Sequence, residues 1–253
     1  MSGHSKWSTI KHKKGALDAK RGVLFTKLSR EIIVAARSGG PDMDMNFRLR
    51  LSVQNAKSAN MPSANIERAI AKGSGTGADG EQLEELTYEG YAPGGAAIIV
   101  QGLTDNRNRT VADVRSLFTK SGGNLAEAGA VSWGFDNKGT VLVTIVTGLD
   151  GEEVALEAVD SGAEDFELTD NSISFTTDPG NLDLLQKALG AMDGVEVDTA
   201  ELAMVPQVLM ELDDSHAKQT LRLLEALEDL DDVQKVFSNA DFSNEVLAEY
   251  SAA

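Results

Sequence analysis

A chain of 253 residues with 42% hydrophobic and 25% charged residues has roughly two domains' worth of material, or three small ones, and enough apolar side chains to bury real cores. No apolar run approaches the roughly 20 residues that span a bilayer, and no apolar stretch follows the first lysines as a secretion signal requires, so neither a membrane nor export is expected. The absence of cysteine excludes disulfides, thiolate zinc sites and a cysteine nucleophile and fits a reducing compartment, while His4, His12 and His216 leave little for a metal cluster or a histidine-based triad.

The net charge of −17 is unevenly spread. Gly3 to Lys14 holds four lysines, two histidines and Trp7 without one acid, and Lys20, Arg21, Lys27 and Arg30 follow against the single acid Asp18. Residues 1–72 carry fourteen Lys and Arg against five Asp and Glu, a net of +9; the remaining nine basic and thirty-five acidic residues leave −26. A basic segment on an acidic body points to contact with phosphate at one end only.

Residues 1–14 show no helical period and are expected to form an extended arm that orders on its target. Leu17, Leu24, Leu28, Ile32 and Ala35 then mark the stripe of an amphipathic helix over 16–37, ended by Gly39-Gly40-Pro41. Further helices are expected from Asn46, a cap, to Ala59 and from Pro62 to Lys72. Most basic residues of this head, Arg30, Arg37, Arg48 and Arg50 among them, should then face outward. Gly73 to Gly80 reads as a linker that lets the head reorient, or as glycines held in turns.

Beyond the linker the pattern alternates strands and helices. Strands at 140–146, 165–169, 172–176 and 195–198 with helices at 150–159 and 179–191 give the βαββαβ order of a ferredoxin-like unit. Strands at 86–91, 96–103 and 131–135 and a helix at 108–120 form part of a second unit, completed by a strand at 202–206, a helix at 213–230 and a strand at 233–237. The expected fold is therefore α+β: a three-helix domain over 1–75, a discontinuous ferredoxin-like domain over 81–136 and 200–240, and a second such domain over 139–198 inserted into it.

Two runs carry chemistry. In the arm, Lys6, Lys11, Lys13 and Lys14, continued by Lys20 and Arg21, supply point charges to phosphates, and Trp7, His4 and His12 offer flat faces for stacking on bases; Trp7 packing back on the helices is the alternative. In Asp105-Asn106-Arg107-Asn108-Arg109-Thr110, Arg107 and Arg109 stand at a helix start where backbone amides also face an anion; the alternative is that an asparagine caps the helix and the arginines answer nearby acids. Tyr88 to Gly95 reads as a hairpin and no Gly-Lys-Ser/Thr follows it, so it is no phosphate loop. The acids Asp213, Asp214, Asp229, Asp231 and Asp232 fit helix ends and caps better than a magnesium site. With no acid–base pair, triad or nucleotide motif, neither an enzyme nor a cofactor is expected.

The run Gly3-His4-Ser5-Lys6-Trp7 with Ile10-Lys11-His12-Lys13 resembles the YebC/PmpR family. The resemblance continues through Asn60-Met61-Pro62, Tyr88-Glu89-Gly90-Tyr91, Leu103 to Thr110, Gly122-Gly123-Asn124-Leu125, Val131-Ser132-Trp133 and Asp231-Asp232-Val233-Gln234, and so covers essentially the whole chain. It implies a three-domain, non-enzymatic, cytoplasmic protein, with members described as DNA-binding transcriptional regulators. The mitochondrial relative is a translational activator of cytochrome c oxidase synthesis, and bacterial relatives are linked to ribosomes stalled on proline-rich stretches. By the match, Lys6, Trp7, Lys11, His12 and Lys13 would touch nucleic acid, with Arg107 and Arg109 a second patch. Ala92 departs from the family's usual glycine before Pro-Gly-Gly, and Asp42 to Asn46 add acid between the first two helices. Duplex DNA and ribosomal RNA or tRNA both remain open as targets, the ribosome is a candidate partner, and a protein-interaction module with an incidental arm is the other class of reading.

Overall fold

The computed structural model describes residues 18–75, 83–146, 148–169 and 171–252; the expected arm and all but the first three residues of the glycine-rich linker lie outside them.

Three helices form the head: α1 (Asp18–Gly39), α2 (Phe47–Ser58) and α3 (Ser63–Gly73). Asn46 fixes the turn between the first two. Its Oδ1 accepts the Leu49 amide at 3.0 Å and its Nδ2 donates to the carbonyls of Ala35 and Gly40, both at 2.8 Å, so one buried side chain caps α2 and closes α1. Ile32, Ala35, Leu49, Val53, Ala56 and Ile66 interlock between the helices, each large side chain contributing about 1.5–3 kcal/mol by leaving water. Gly73 permits the closest approach: a β-carbon there would lie 2.4 Å from the Ile33 carbonyl oxygen. The expected stripe of α1 is buried only in part: Leu24 is exposed and Leu28 half-buried against this core, whereas Ile32 and Ala35 are fully buried.

The next sheet is built from β1 (Glu84–Tyr91), β2 (Ala97–Thr104), β3 (Asn124–Leu125) and β9 (Val233–Ser238) in the order β3-β1-β2-β9. Strand alternation sorts its residues. Ile98, Val100 and Val236 meet α4 (Arg107–Lys120) and α7 (Asp214–Glu228) on one face, through Val114, Phe118, Leu221 and Leu224. Ile99 and Phe237 face the other way, onto Val131, Phe135 and Ala203. In the β1–β2 hairpin Gly94 takes φ +84°, a conformation that disfavours side chains, whereas Ala92 sits at φ −73° and needs no glycine.

The second sheet has the order β5-β6-β4-β7, formed by β4 (Phe135–Ile145), β5 (Ala163–Thr169), β6 (Ser172–Thr177) and β7 (Val195–Pro206), with α5 (Gly151–Asp160) and α6 (Leu182–Ala191) on one face. The chain order is the expected βαββαβ, and the fold is α+β with the helical head first. Several expected strands differ. The expected strand at 131–135 is a 3₁₀ turn, Ser132–Gly134, that opens into β4. The expected strands at 195–198 and 202–206 are one strand, β7, paired with β4 from Phe135↔Pro206 to Ile145↔Val195 across a bulge at Leu142/Val143. The bulge breaks the period-two pattern, which is why the sequence reads as two pieces. Residues 136–139 and 198–200, where a domain join is expected, thus fall inside continuous strands. Beyond β9 the chain adds β10 (Ala240–Asp241), parallel to β8 (Met210–Glu211), and an unforeseen helix, α8 (Asn244–Ala252), which buries Val246 and Leu247 on the first sheet's core.

The head is docked on both sheets. Leu51 of α2 is buried among Val141, Ile173 and Leu185, Asn55 Nδ2 donates to the Ala200 carbonyl on β7 at 3.2 Å, and Arg50 pairs with Asp183 at 3.4 Å.

Candidate nucleic-acid interface

The residues expected to touch nucleic acid fall into three sets. Lys6, Trp7, Lys11, His12, Lys13 and Lys14 lie outside the described residues, and Lys20 and Arg21 fall in the first turn of α1. Arg107 and Arg109 stand at the start of α4, where Asn106 Oδ1 accepts the Arg109 amide at 3.1 Å and Thr104 Oγ1 accepts the Asn106 amide at 2.9 Å. This is the asparagine cap that the sequence offers as one of two readings.

The two arginines part company there. Arg107 is exposed. Arg109, its side chain still 45% exposed, folds over the junction, donating from Nη2 to Asp232 Oδ2 at 2.7 Å and to Asp105 Oδ1 at 2.7 Å. Asp232, just before β9, is buried, with only 8% of its side chain exposed. Its Oδ2 also accepts from Thr104 Oγ1 at 3.0 Å and Thr110 Oγ1 at 2.7 Å, and its Oδ1 accepts from Arg30 Nη1 of the head at 2.9 Å. Arg30 reaches the Asp231 carbonyl as well, at 2.6 Å, and Lys27 donates to the Glu228 carbonyl. Two cations of α1 thus close the carbonyl end of α7, where the helix dipole is negative.

Burial opposes ionisation of Asp232, but the hydrogen bonds from Arg109, Thr110 and Thr104 prevail and hold its carboxyl below the usual range. The same bonds, from Asp232 first and Asp105 second, raise the Arg109 guanidinium above its ordinary value. Asp232 is therefore neither a solvated helix end nor a magnesium ligand, and Arg30 is not an outward cation. Sequence reasoning misses this junction because neither residue lies on a periodic face; the only signal is the pair Asp231-Asp232 standing before a strand. Among the described residues no group of three or more His, Asp or Glu is placed to hold a metal ion.

Of the head's other cations, Arg48 keeps 39% of its side chain exposed and is answered there by Glu85 at 2.8 Å and Glu31 at 3.4 Å, and Arg37, Lys57 and Arg68 are also exposed. The acid lies elsewhere: residues 139–198 hold fourteen Asp and Glu against Lys187 alone, and Lys187 bonds Asp183 at 2.7 Å.

The fold and its charge define a class: an α+β protein with a helical head docked on two sheets, basic at its amino-terminal end and acidic beyond, in which no described helix is long and apolar enough to cross a bilayer. The chain belongs to the TACO1/YebC family: residues 5–76 match the description "TACO1/YebC protein N-terminal domain" and residues 83–240 match "TACO1/YebC second and third domain". A protein of Dehalococcoides mccartyi, named a "Probable transcriptional regulatory protein", is 55% identical over 250 residues, covering 99% of this chain and 98% of its own. One of Rubrobacter xylanophilus with the same name is 52% identical over 249 residues, covering 98% and 99%. The crystal structure of a conserved hypothetical protein from Aquifex aeolicus superposes with a TM-score of 0.83 at 45% identity, over 91% of this chain and 94% of that one.

Proposed function

We propose that the protein is a non-enzymatic, cytoplasmic regulator of gene expression that grips the phosphate backbone of duplex DNA through its basic amino-terminal segment. The observation that carries this reading is the charge partition, +9 over residues 1–72 against −26 over the rest. Phosphate is drawn to one end and repelled from the other, which orients the molecule on a nucleic acid before any close contact forms. The names of the Dehalococcoides and Rubrobacter relatives support a role in transcription and favour DNA over RNA. Lys6, Lys11, Lys13, Lys14, Lys20 and Arg21 supply the phosphate contacts, Trp7 and His12 stack, and exposed Arg107 adds one contact; Arg109 instead holds the fold. The same proposal divides the chain into a head over 1–75, a discontinuous unit over 81–136 and 200–240, and an acidic inserted unit over 139–198, joined within β4 and β7; the apolar clusters of the head and the two sheets support it, with Leu51 of the head shared by the second sheet's cluster.

The test is binding to duplex DNA beside co-sedimentation with ribosomes, across salt, for the full chain and for a chain lacking residues 1–14. Arm-dependent binding to the duplex that persists at physiological salt supports the proposal. Arm-dependent ribosome binding with collapse of DNA binding would make the protein a translation factor, and arm-independence in both would leave a protein-interaction module.

A further inference from the structure

The loop between β3 and β4 holds one indole out in solvent. Glu89, buried in β1, accepts the amides of Gly129 at 2.8 Å, Val131 at 2.7 Å and Ser132 at 2.9 Å. Burial opposes its ionisation, and these three backbone donors outweigh it, so the carboxyl stays below its usual range. Tyr91 Oη donates to the Ala130 carbonyl at 3.1 Å, and the Trp133 Nε1–H donates to the same oxygen at 3.0 Å. The segment is thus fixed from several directions, yet the side chain at its tip, Trp133, is 78% exposed. The β4–β7 ladder runs one step past Phe135↔Pro206, with the Gln207 amide on the Gly134 carbonyl at 2.9 Å. Val208, the next residue along from Gln207, is likewise exposed, at 74%.

An exposed aromatic side chain held rigid before any partner arrives has already lost the conformational freedom that binding would otherwise cost. Its surroundings choose the partner. Segments 124–138, 201–211 and 238–242 carry Glu127, Asp136, Glu201, Glu211 and Asp241 against Lys138 alone, and Lys138 is bonded to Glu164 at 2.7 Å. Glu201 is answered by Lys235 at 2.7 Å, while Asp136 is exposed and receives a Gln207 side-chain amide hydrogen bond at 2.9 Å, with Lys138 acting on it through space but bonded to Glu164. A nucleobase arriving on its phosphate chain meets net repulsion here, whereas a cation over the indole face meets attraction from both the ring and the carboxylates.

We propose that Trp133 and Val208 form a docking site for a cationic polypeptide, with an arginine of that partner stacked on the indole, its guanidinium answered by Asp136, and an apolar partner side chain against Val208. The site uses residues far along the chain from the nucleic-acid segment, so the protein would hold a basic protein through one set of residues and a phosphate backbone through another.

The test uses the full chain with Trp7→Phe, which leaves Trp133 as the one indole. The probes are a short peptide of alternating leucine and arginine, the same peptide with citrulline for arginine, and a single-stranded oligonucleotide. The arginine peptide is expected to change Trp133 emission saturably, the citrulline peptide to bind more than about fivefold more weakly, and Asp136→Asn to weaken the arginine peptide by a similar factor. Trp133→Ala, followed by calorimetry with circular dichroism as the folding check, should abolish binding without loss of structure. Absence of a saturable change, equal binding of the citrulline peptide, or no effect of Asp136→Asn would each overturn the proposal. A saturable change with the oligonucleotide in place of the peptide would make Trp133 a base-stacking site instead.

Discussion

Replacing Asp232 by asparagine removes the charge that the head, the start of α4 and the edge of β9 share. An asparagine keeps one acceptor oxygen. If that oxygen takes the place of Oδ2, serving Arg109, Thr104 and Thr110, its amide faces Arg30, donor against donor; the opposite rotamer strands the two threonine hydroxyls and Arg109. A hydrogen bond to a charged group contributes about 1.5–3 kcal/mol, and the Arg109 pair must be discounted because that side chain is 45% exposed. The loss expected for Asp232→Asn is therefore about 2–3 kcal/mol. Asp105→Asn, which breaks a pair exposed on both sides, should cost no more than about 0.5 kcal/mol. Urea unfolding followed by circular dichroism at neutral pH measures both. The sign of the pH dependence follows from the depressed carboxyl: its stabilisation is complete above the unfolded value of about 4 and is lost as pH falls through the lower folded value, so the gap between wild type and Asp232→Asn should close on the acid side. A variant within about 0.5 kcal/mol of wild type, or one no costlier than Asp105→Asn, would refute the assignment of Asp232 as the junction's organising charge.

Glu89→Gln leaves at least one of three amides, that of Val131 buried and those of Gly129 and Ser132 half-buried, without a partner and should lower stability by about 1–3 kcal/mol, read by urea unfolding, with a shift in Trp133 emission as the 129–133 segment loosens. Gly73→Ala places a methyl 2.4 Å from the Ile33 carbonyl oxygen and 2.8 Å from Ala36 Cβ, so α3 must move away from α1 at a cost of about 1–3 kcal/mol; an unaffected melting temperature would show the packing to be looser than it stands. Arg107→Ala should reduce the salt slope of DNA binding by the share of a single phosphate, about 0.7–0.9, with stability unchanged, while Arg109→Ala should destabilise the fold; the opposite assignment would restore Arg109 as the phosphate ligand.

Much of the architecture is legible in the sequence because local chemistry and tertiary demand agree. Asn46 and Asn106 announce their helices as caps, and the unbroken apolar run Ile98-Ile99-Val100 announces a strand with both faces covered. Where the reading fails, a long-range contact decides. β7 is one strand because β4 pairs along all of it, a fact spread over two segments that are far apart in the chain. Arg30 reads as a surface cation until the carboxylate that meets it, from 202 positions away, is placed. Trp133 is a further case: the sequence reads 131–135 as a strand, whereas Glu89 gathers the amides of Gly129, Val131 and Ser132 into a turn whose indole is 78% exposed.

The central claim is that the basic amino-terminal segment carries the nucleic-acid contact. Its most direct test is the salt dependence of duplex DNA binding by the full chain and by the Lys11→Ala, Lys13→Ala, Lys14→Ala variant. If all three lysines touch phosphate, the slope of log K against log salt should fall by about 2–3, at about 0.7–0.9 for each phosphate no longer neutralised, with the fold intact by circular dichroism. An unchanged slope would remove these lysines from the interface and with them the proposed mode of binding.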